Sequence, residues 1–264
     1  MACFDLQWDK LMNLRPYEPQ RLQINSKRYY RMVDFPNVPP NIVLPSMKTI
    51  TSSCAPVEKI MALINWRKRV GDEEANRRTR LAAERGTWLH GVLEDLWNGE
   101  DFASHLERCP QFSPYFHAIE AFINEVRSPL LVESAIGWFS PEKEIGFSGT
   151  FDMLAQMEDG KVALVDWKTS YKKKSNSQLA DYRMQLGGYS MAIEQMYDIE
   201  ISKAYCVIGI YDPEDAKSGS SMQLIELDSN ELLCQGMVVE EKTQKFFNEH
   251  YPGGKPFRIS EDKG

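Results

Sequence analysis

Three side chains in this sequence have the types and spacing of a hydrolytic site: Asp152, Asp166 and Lys168. The apolar run Val162–Val165 has β character and ends abruptly in Asp166-Trp167-Lys168. Residues two apart on a strand share a face. Asp166 and Lys168 therefore project together, about 6.5–7 Å apart along the chain, while Trp167 faces the other way. Asp152 lies inside a second strand-like run, Phe147–Ala155. If the two strands are neighbours, one pocket holds two acids and one base. That set is a minimal Mg²⁺ site for phosphate chemistry. Mg²⁺ takes hard oxygen ligands, commonly one or two carboxylates, and fills its shell with waters and substrate phosphate. A lysine beside it can position or deprotonate a water, because a nearby cation and burial both lower its pKa. The Trp167 carbonyl, between the two side chains, is a further candidate ligand.

Each residue alone has an ordinary explanation. Asp152 fits an acid at a strand end, and Asp166 with Lys168 fits a terminal salt bridge. A carboxylate within an apolar strand is costly unless it is paired or metal-bound, so the combination is harder to explain as independent accidents. Other motifs add to it. In Arg85-Gly86-Thr87-Trp88-Leu89-His90, His90 shares a helix face with Glu94. Beside a metal its imidazole would be a nitrogen ligand, which suits Mn²⁺ better than Mg²⁺. Gln185 and Tyr189 share a face of a later helix and could form a polar rail that bonds a phosphate or stacks a base. Lys172, Lys173 and Lys174 follow the strand directly, either as a solvated loop or as phosphate contacts. Within the helical stretch Arg67, Lys68, Arg69, Arg77, Arg78, Arg80 and Arg85 outnumber Asp72, Glu73, Glu74 and Glu84.

The elements that must position these groups follow from pattern. Residues 1–45 are rich in proline and tyrosine and read as an extended arm with short structured pieces. Its Lys27-Arg28-Tyr29-Tyr30-Arg31 cluster reads as a solvated strand edge or a DNA-contacting strand. Thr51-Ser52-Ser53 before Pro56 reads as helix caps. Helices are expected over 56–70 and 72–97, and a third from Ser113 through Val126. Strands are expected over 130–139, 145–157 and 161–168, with a hairpin turn at Glu158-Asp159-Gly160. A helix over 177–197, with Leu179, Tyr182, Leu186, Tyr189 and Ile193 on one face, leads to strands over 203–211 and 222–227. A closing helix over 229–248 and a polar tail from Pro252 complete the chain.

The chain has 264 residues, 42% of them hydrophobic and 26% charged, as in an ordinary globular protein. Its net charge of −7 argues against a non-specific DNA-coating protein and confines any DNA track to a patch. Cys3, Cys54, Cys109, Cys206 and Cys234 show no C-x-x-C spacing. That disfavours a zinc or iron–sulfur site and fits a reducing compartment. No apolar run reaches the ~18 residues of a membrane span. The N-terminal MACFDLQWDK lacks the pattern of a signal or transit peptide, so a cytoplasmic protein without membrane partners is expected.

Taken in order, RGTxxH (Arg85 to His90), Glu133 on the first strand, GTFD (Gly149 to Asp152), DWK (Asp166 to Lys168) and QxxxY (Gln185 to Tyr189) resemble the RecB-like branch of the PD-(D/E)xK nuclease superfamily. Within that branch the Pro-Ser-x-x-x-Ile stretch at Pro45 to Ile50, the tryptophan-bearing basic helix and the DWKTS ending are similar to the mitochondrial genome maintenance exonucleases and their phage-encoded relatives. The branch members with an iron–sulfur cysteine cluster lack a counterpart here. The resemblance implies an α/β, restriction-endonuclease-like core, a mixed central sheet flanked by helices, with an N-terminal helical insertion. It divides the chain into an arm (1–45), a helical region (46–128) and a nuclease core (129–264), the last two integrated. It implies Mg²⁺ or Mn²⁺ held by His90, Asp152, Asp166 and the Trp167 carbonyl, with Lys168 as catalytic lysine and Glu133 as a supporting acid. Gln185 and Tyr189, with Arg85, Lys172 and Lys173, would contact DNA. The helical block would roof the site so that a single strand threads through. The expected activity is a metal-dependent DNA exonuclease preferring single strands, in replication, repair or recombination, with possible replication or recombination proteins as partners. A structure-selective endonuclease and a non-catalytic DNA-binding accessory module are the alternatives.

Overall fold

The computed structural model describes residue 11, residues 14–18, 20–251 and residue 256. The N-terminal decapeptide with Cys3, and the tail from Pro252 save Pro256, lie outside the described residues. The main sheet has five strands: β4 (Val126–Ser140), β5 (Ile145–Met157), β6 (Val162–Ser170), β7 (Lys203–Ile210) and β8 (Ser221–Asp228), in that spatial order. All neighbours are antiparallel except β6 and β7. Parallel strands need a crossover, and the helix α7 (Asn176–Tyr197) supplies it. Gly160, at φ 82°, closes the β5–β6 hairpin where the sequence places a turn.

Each face of the sheet carries a core. On one, Phe147, Phe151, Leu154, Leu164 and Ile208 pack under α7 and the final helix α8 (Ser229–His250). Gln178 Oε1 accepts from the Ser175 N–H at the start of α7, and Asp228 caps α8, as expected for capping boxes. The two helices approach closely at Gly187, where a Cβ would come within 2.4 Å of Gln235 Cβ. Gly188 leaves room for Met47, whose Cε would be 2.1 Å from a Cβ there. On the other face, Met153, Ala163, Val165 and Trp167 meet Trp88, Leu89, Val92 and Leu93 of α3 (Asp72–Asn98). Asp72, Glu73 and Glu74 open that helix and favour its positive end. Gly99, at φ 74°, ends it in the left-handed conformation.

Several elements differ from their sequence reading. The structured pieces of the arm are three strands, β1 (Gln20–Ile24), β2 (Lys27–Met32) and β3 (Ile42–Pro45), paired in that order. The Lys27–Arg31 cluster is not a strand edge. It lies on the central strand β2, and Tyr29 and Tyr30 are buried in the core. Thr51-Ser52-Ser53 does not cap the next helix but ends α1 (Met47–Ser53), which Ser46 caps through Thr49 N–H. The helix α2 (Val57–Val70) follows, and α4 (Ala103–Arg108) intervenes unpredicted after α3. The single helix expected over 113–126 is two short ones, α5 (Ser113–His117) and α6 (Glu120–Ile123), and Val126 already belongs to β4. The break lets Tyr115 lay its carbonyl against Gly209, where a Cβ would stand 2.4 Å from that oxygen. No helix among the described residues is long and apolar enough to cross a membrane.

Candidate active site

The site forms where β5 and β6 part. Their ladder ends at the pair Met153–Val165. Beyond it Asp152 and Asp166 are the next opposed residues, and a side chain replaces the backbone acceptor: Trp167 N–H donates to Asp152 Oδ2 at 2.7 Å. Trp167 turns its indole into the opposite core, edge-on to Phe122, so Asp166 and Lys168 share the other face as strand alternation requires. On β4, Val132 pairs with Met153 and Ser134 with Phe151, which sets Glu133 opposite Asp152. Glu133 sits at φ 47° within a strand. A non-glycine residue costs of order 1–3 kcal/mol there and such positions cluster at functional sites.

Helix α3 brings His90 to this row. His90 Nδ1 is 2.9 Å from Glu133 Oε1, and Nε2 is 3.2 Å from the Trp167 carbonyl and 3.7 Å from Asp152 Oδ2. Asp152 and Glu133 push the imidazole up to about 9, against burial and the charge of Lys168. Lys168 Nζ lies 2.6 Å from Asp166 Oδ2 and 3.9 Å from Asp152 Oδ2. Burial opposes the charge on Lys168, yet Asp166 and Asp152 outweigh it and hold the ammonium above its usual range. Burial also pushes the Asp166 carboxyl up, with Lys168 pulling against it. Lys168 and Asp166 thus sit as a close ion pair, with Asp152 adding to the hold on the ammonium. Gln185 Nε2 donates to Asp166 Oδ1 at 2.9 Å and fixes that carboxylate from α7.

The donor set suits a hard divalent cation. Ligand atoms of His90, Glu133 and Asp152 all lie within 4.8 Å of one another, and the Trp167 carbonyl adjoins them. Thr150 Oγ1, two residues before Asp152, is buried without a hydrogen-bond partner. Asp166 Oδ2 is already answered by the Lys168 ammonium at 2.6 Å. Open oxygen valence beside a row of carboxylates is what a cation or its bound water would complete.

The other sequence candidates take different positions. Arg85 is 3% exposed, donates to Thr169 Oγ1 and Tyr115 Oη, and stacks between the Tyr115 and Tyr171 rings, 4.6 and 4.3 Å from their centroids. It floors a cleft of about 700 Å³ that runs from Thr169 between α3 and α7, and Lys172 lies on the wall. Lys173 is exposed and outside that lining. Tyr189 is buried, its ring against Gly149, where a Cβ would meet Oη at 2.7 Å and ring carbons at 2.8 and 2.9 Å. Sequence reading did not single out Trp66, Tyr171 or Tyr182 as site residues, and they line the cleft together with Lys174 of the lysine run. The signal for Tyr182 was its place on the α7 face shared with Gln185. Of the basic helical residues, Arg77 and Arg78 reach the cleft but are tied to Glu74.

The sequence pattern of the PD-(D/E)XK nuclease superfamily matches residues 63–252. Mitochondrial genome maintenance exonuclease 1 of Homo sapiens is 22% identical over 193 residues, 69% of this chain and 55% of that protein. The Mus musculus protein of the same name is 26% identical over 135 residues, 50% of this chain and 38% of its own length. The chain thus matches about half or less of these relatives. A solved structure titled "Crystal structure of SSO0001" aligns over 67% of this chain and 84% of its own at 13% identity, with a TM-score of 0.29, too low to carry an argument. The superfamily pattern spans the α3 helix, the forked sheet and the helix bearing Gln185, more than half of the chain, and on that match the chain belongs to the PD-(D/E)XK nuclease superfamily.

Proposed function

We propose that this chain is a Mg²⁺- or Mn²⁺-dependent DNA exonuclease that prefers single strands and serves replication, repair or recombination. The observation that carries the reading is the convergence of His90, Glu133, Asp152, Asp166 and Lys168 at the strand fork, one residue along β6 from a cleft that Thr169 and Ser170 line. His90, Glu133, Asp152, Asp166 and the Trp167 carbonyl would hold the cation. When bound there, it supplies charge stabilisation on the phosphate and acidifies the attacking water. Glu133 accepts from His90 Nδ1 and so leaves Nε2 as the atom turned to the site. Asp166, held by Gln185, keeps Lys168 beside Asp152, where the ammonium orients the water. Tyr189 fills the space over Gly149 and sets the height of α7 above the fork.

Two features support a single-stranded substrate. The cleft combines the aromatic side chains of Trp66, Tyr171 and Tyr182 with cationic ones from Arg77, Lys172 and Lys174, the composition that stacks bases and follows a backbone. Helix α2 buries none of its residues and leaves Val57, Ile60, Met61 and Leu63 exposed, as a roof over a threaded strand would. The relatives are named exonucleases, which supports attack from an end. End-labelled linear, duplex and circular DNA with Mg²⁺, Mn²⁺ or EDTA tests the proposal. Linear single strands should be degraded with metal, and Asp166→Ala and Lys168→Ala should stop degradation while the chain stays folded. Cleavage of circular single strands would identify an endonuclease. Binding without metal-dependent turnover would identify an accessory module.

A further inference from the structure

A second cleft, of about 780 Å³, lies between the β1–β2 hairpin, α1 and the end of α8. Its charged lining is Arg21, Lys27, Arg28 and Lys48, together with His250, and among the described residues no carboxylate lines it. Several other surface cations are answered by acids: Arg67 by Asp72, Arg77 and Arg78 by Glu74, Arg80 by Glu84, Lys143 by Glu240. Among the described residues, Arg21, Arg28 and Lys48 are exposed and form no ion pair. Lys27 donates to Ser53 Oγ at 3.0 Å. Hydroxyls of Ser26, Ser52 and Ser53 share the lining. In a chain of net charge −7, four cations gathered without a counter-charge make a local positive field. Arginine, lysine and hydroxyl side chains are what phosphate contacts use.

The cleft is coupled to the catalytic fork. Ser46, in its wall, bridges to Ser148 of β5, and Ser148 Oγ donates to the Leu44 and Pro45 carbonyls. Ser148 stands four residues before Asp152 on one strand, a path of about 13 Å.

We propose that this cleft binds the sugar-phosphate backbone of DNA away from the scissile bond, so that the enzyme grips a longer tract than its catalytic cleft covers. The proposal rests on the DNA substrate of the preceding reading. Its test is binding in EDTA, where turnover plays no part, by fluorescence anisotropy with a labelled 30-nucleotide strand over a salt series. The variant combines Arg21→Glu, Arg28→Glu and Lys48→Glu. Its affinity should fall at least about tenfold, and the slope of log K against log salt should shrink by about 2, for three contacts on a single strand. Arg21→Gln, Arg28→Gln and Lys48→Gln give a second variant if charge reversal unfolds the chain, with the same loss of slope. A control combining Lys143→Glu, Lys161→Glu and Lys245→Glu, outside the cleft, should keep the wild-type slope. An unchanged slope in the cleft variants, or an equal loss in the control, overturns the proposal. A wild-type protein that binds through this cleft yet cleaves nothing with metal would refute the exonuclease reading and leave the cleft standing.

Discussion

Lys168→Met removes an ammonium from between two carboxylates and keeps the length of the stem. Asp166 and Asp152 are 2% and 8% exposed, and Lys168 reaches them at 2.6 and 3.9 Å. Removing one partner of a buried pair costs roughly 3–5 kcal/mol, because the other charge stays buried and unanswered. The Lys168 side chain keeps 22% exposure, so the lower end applies, about 3 kcal/mol. With a urea m-value of about 3 kcal/mol/M, the unfolding midpoint in EDTA at pH 7 should drop by about 1 M. Burial pushes Asp166 up, so the orphaned carboxyl takes a proton more readily as pH falls, and the loss should shrink with falling pH. Saturating Mn²⁺ can supply the missing positive charge, and about 100 times its Kd adds about 2.7 kcal/mol to the native state. The variant should therefore regain most of its midpoint with metal and still lose about 10²–10⁴ in turnover for want of the lysine. A midpoint equal to wild type in EDTA at pH 7 would refute the ion-pair account of this site.

Three more outcomes follow from the geometry. His90 is raised to about 9 in the folded chain from about 6.5 unfolded. Its protonated form therefore stabilises the metal-free protein fully below pH 6.5, and that stability is lost as pH rises through 9. Urea midpoints in EDTA at pH 6 and 9.5 should show the fall, and His90→Gln should remove that part of it; an imidazole titrating at 6.5 by NMR contradicts the geometry. Gly149→Ala drives a methyl into Tyr189 and should cost about 1–3 kcal/mol, a melting temperature lower by about 5 °C. Tyr189→Phe should not rescue it, because ring carbons are as close as the hydroxyl. Glu133→Gln removes a carboxylate from the cluster and weakens the hold on His90. Mn²⁺ affinity by calorimetry should fall at least about tenfold, and an unchanged affinity would place Glu133 outside the metal site.

The readable parts of the fold are those with local period. The alternation Asp166, Trp167, Lys168 placed two chemical groups on one face and an indole in the core, and Phe122 receives that indole as the pattern requires. The α7 face of Leu179, Leu186, Tyr189 and Ile193 is buried as its spacing implies, with Tyr182 at its margin. The N-terminal sheet was harder to read. Its strands are short, its prolines resemble those of an extended arm, and it packs on partners far along the chain, as Ser46 does on Ser148. The helix expected through Val126 is interrupted, and the first of its two pieces lays the Tyr115 carbonyl on Gly209, a contact no local window contains.

For the site, the sequence by itself determined the reacting groups and their faces: two carboxylates and a lysine at the ends of apolar strands, and a histidine on a helix. Side-chain type and strand period are local, so they survive in one dimension. Tertiary structure decided that β5 and β6 part after Met153–Val165, that Asp152 there accepts from Trp167 N–H, and that Glu133 turns to His90 from a left-handed backbone position. Where a ladder ends, and which side chain takes the freed donor, depends on the packing of two helices against opposite faces of the sheet, and that balance exists only once the chain has folded.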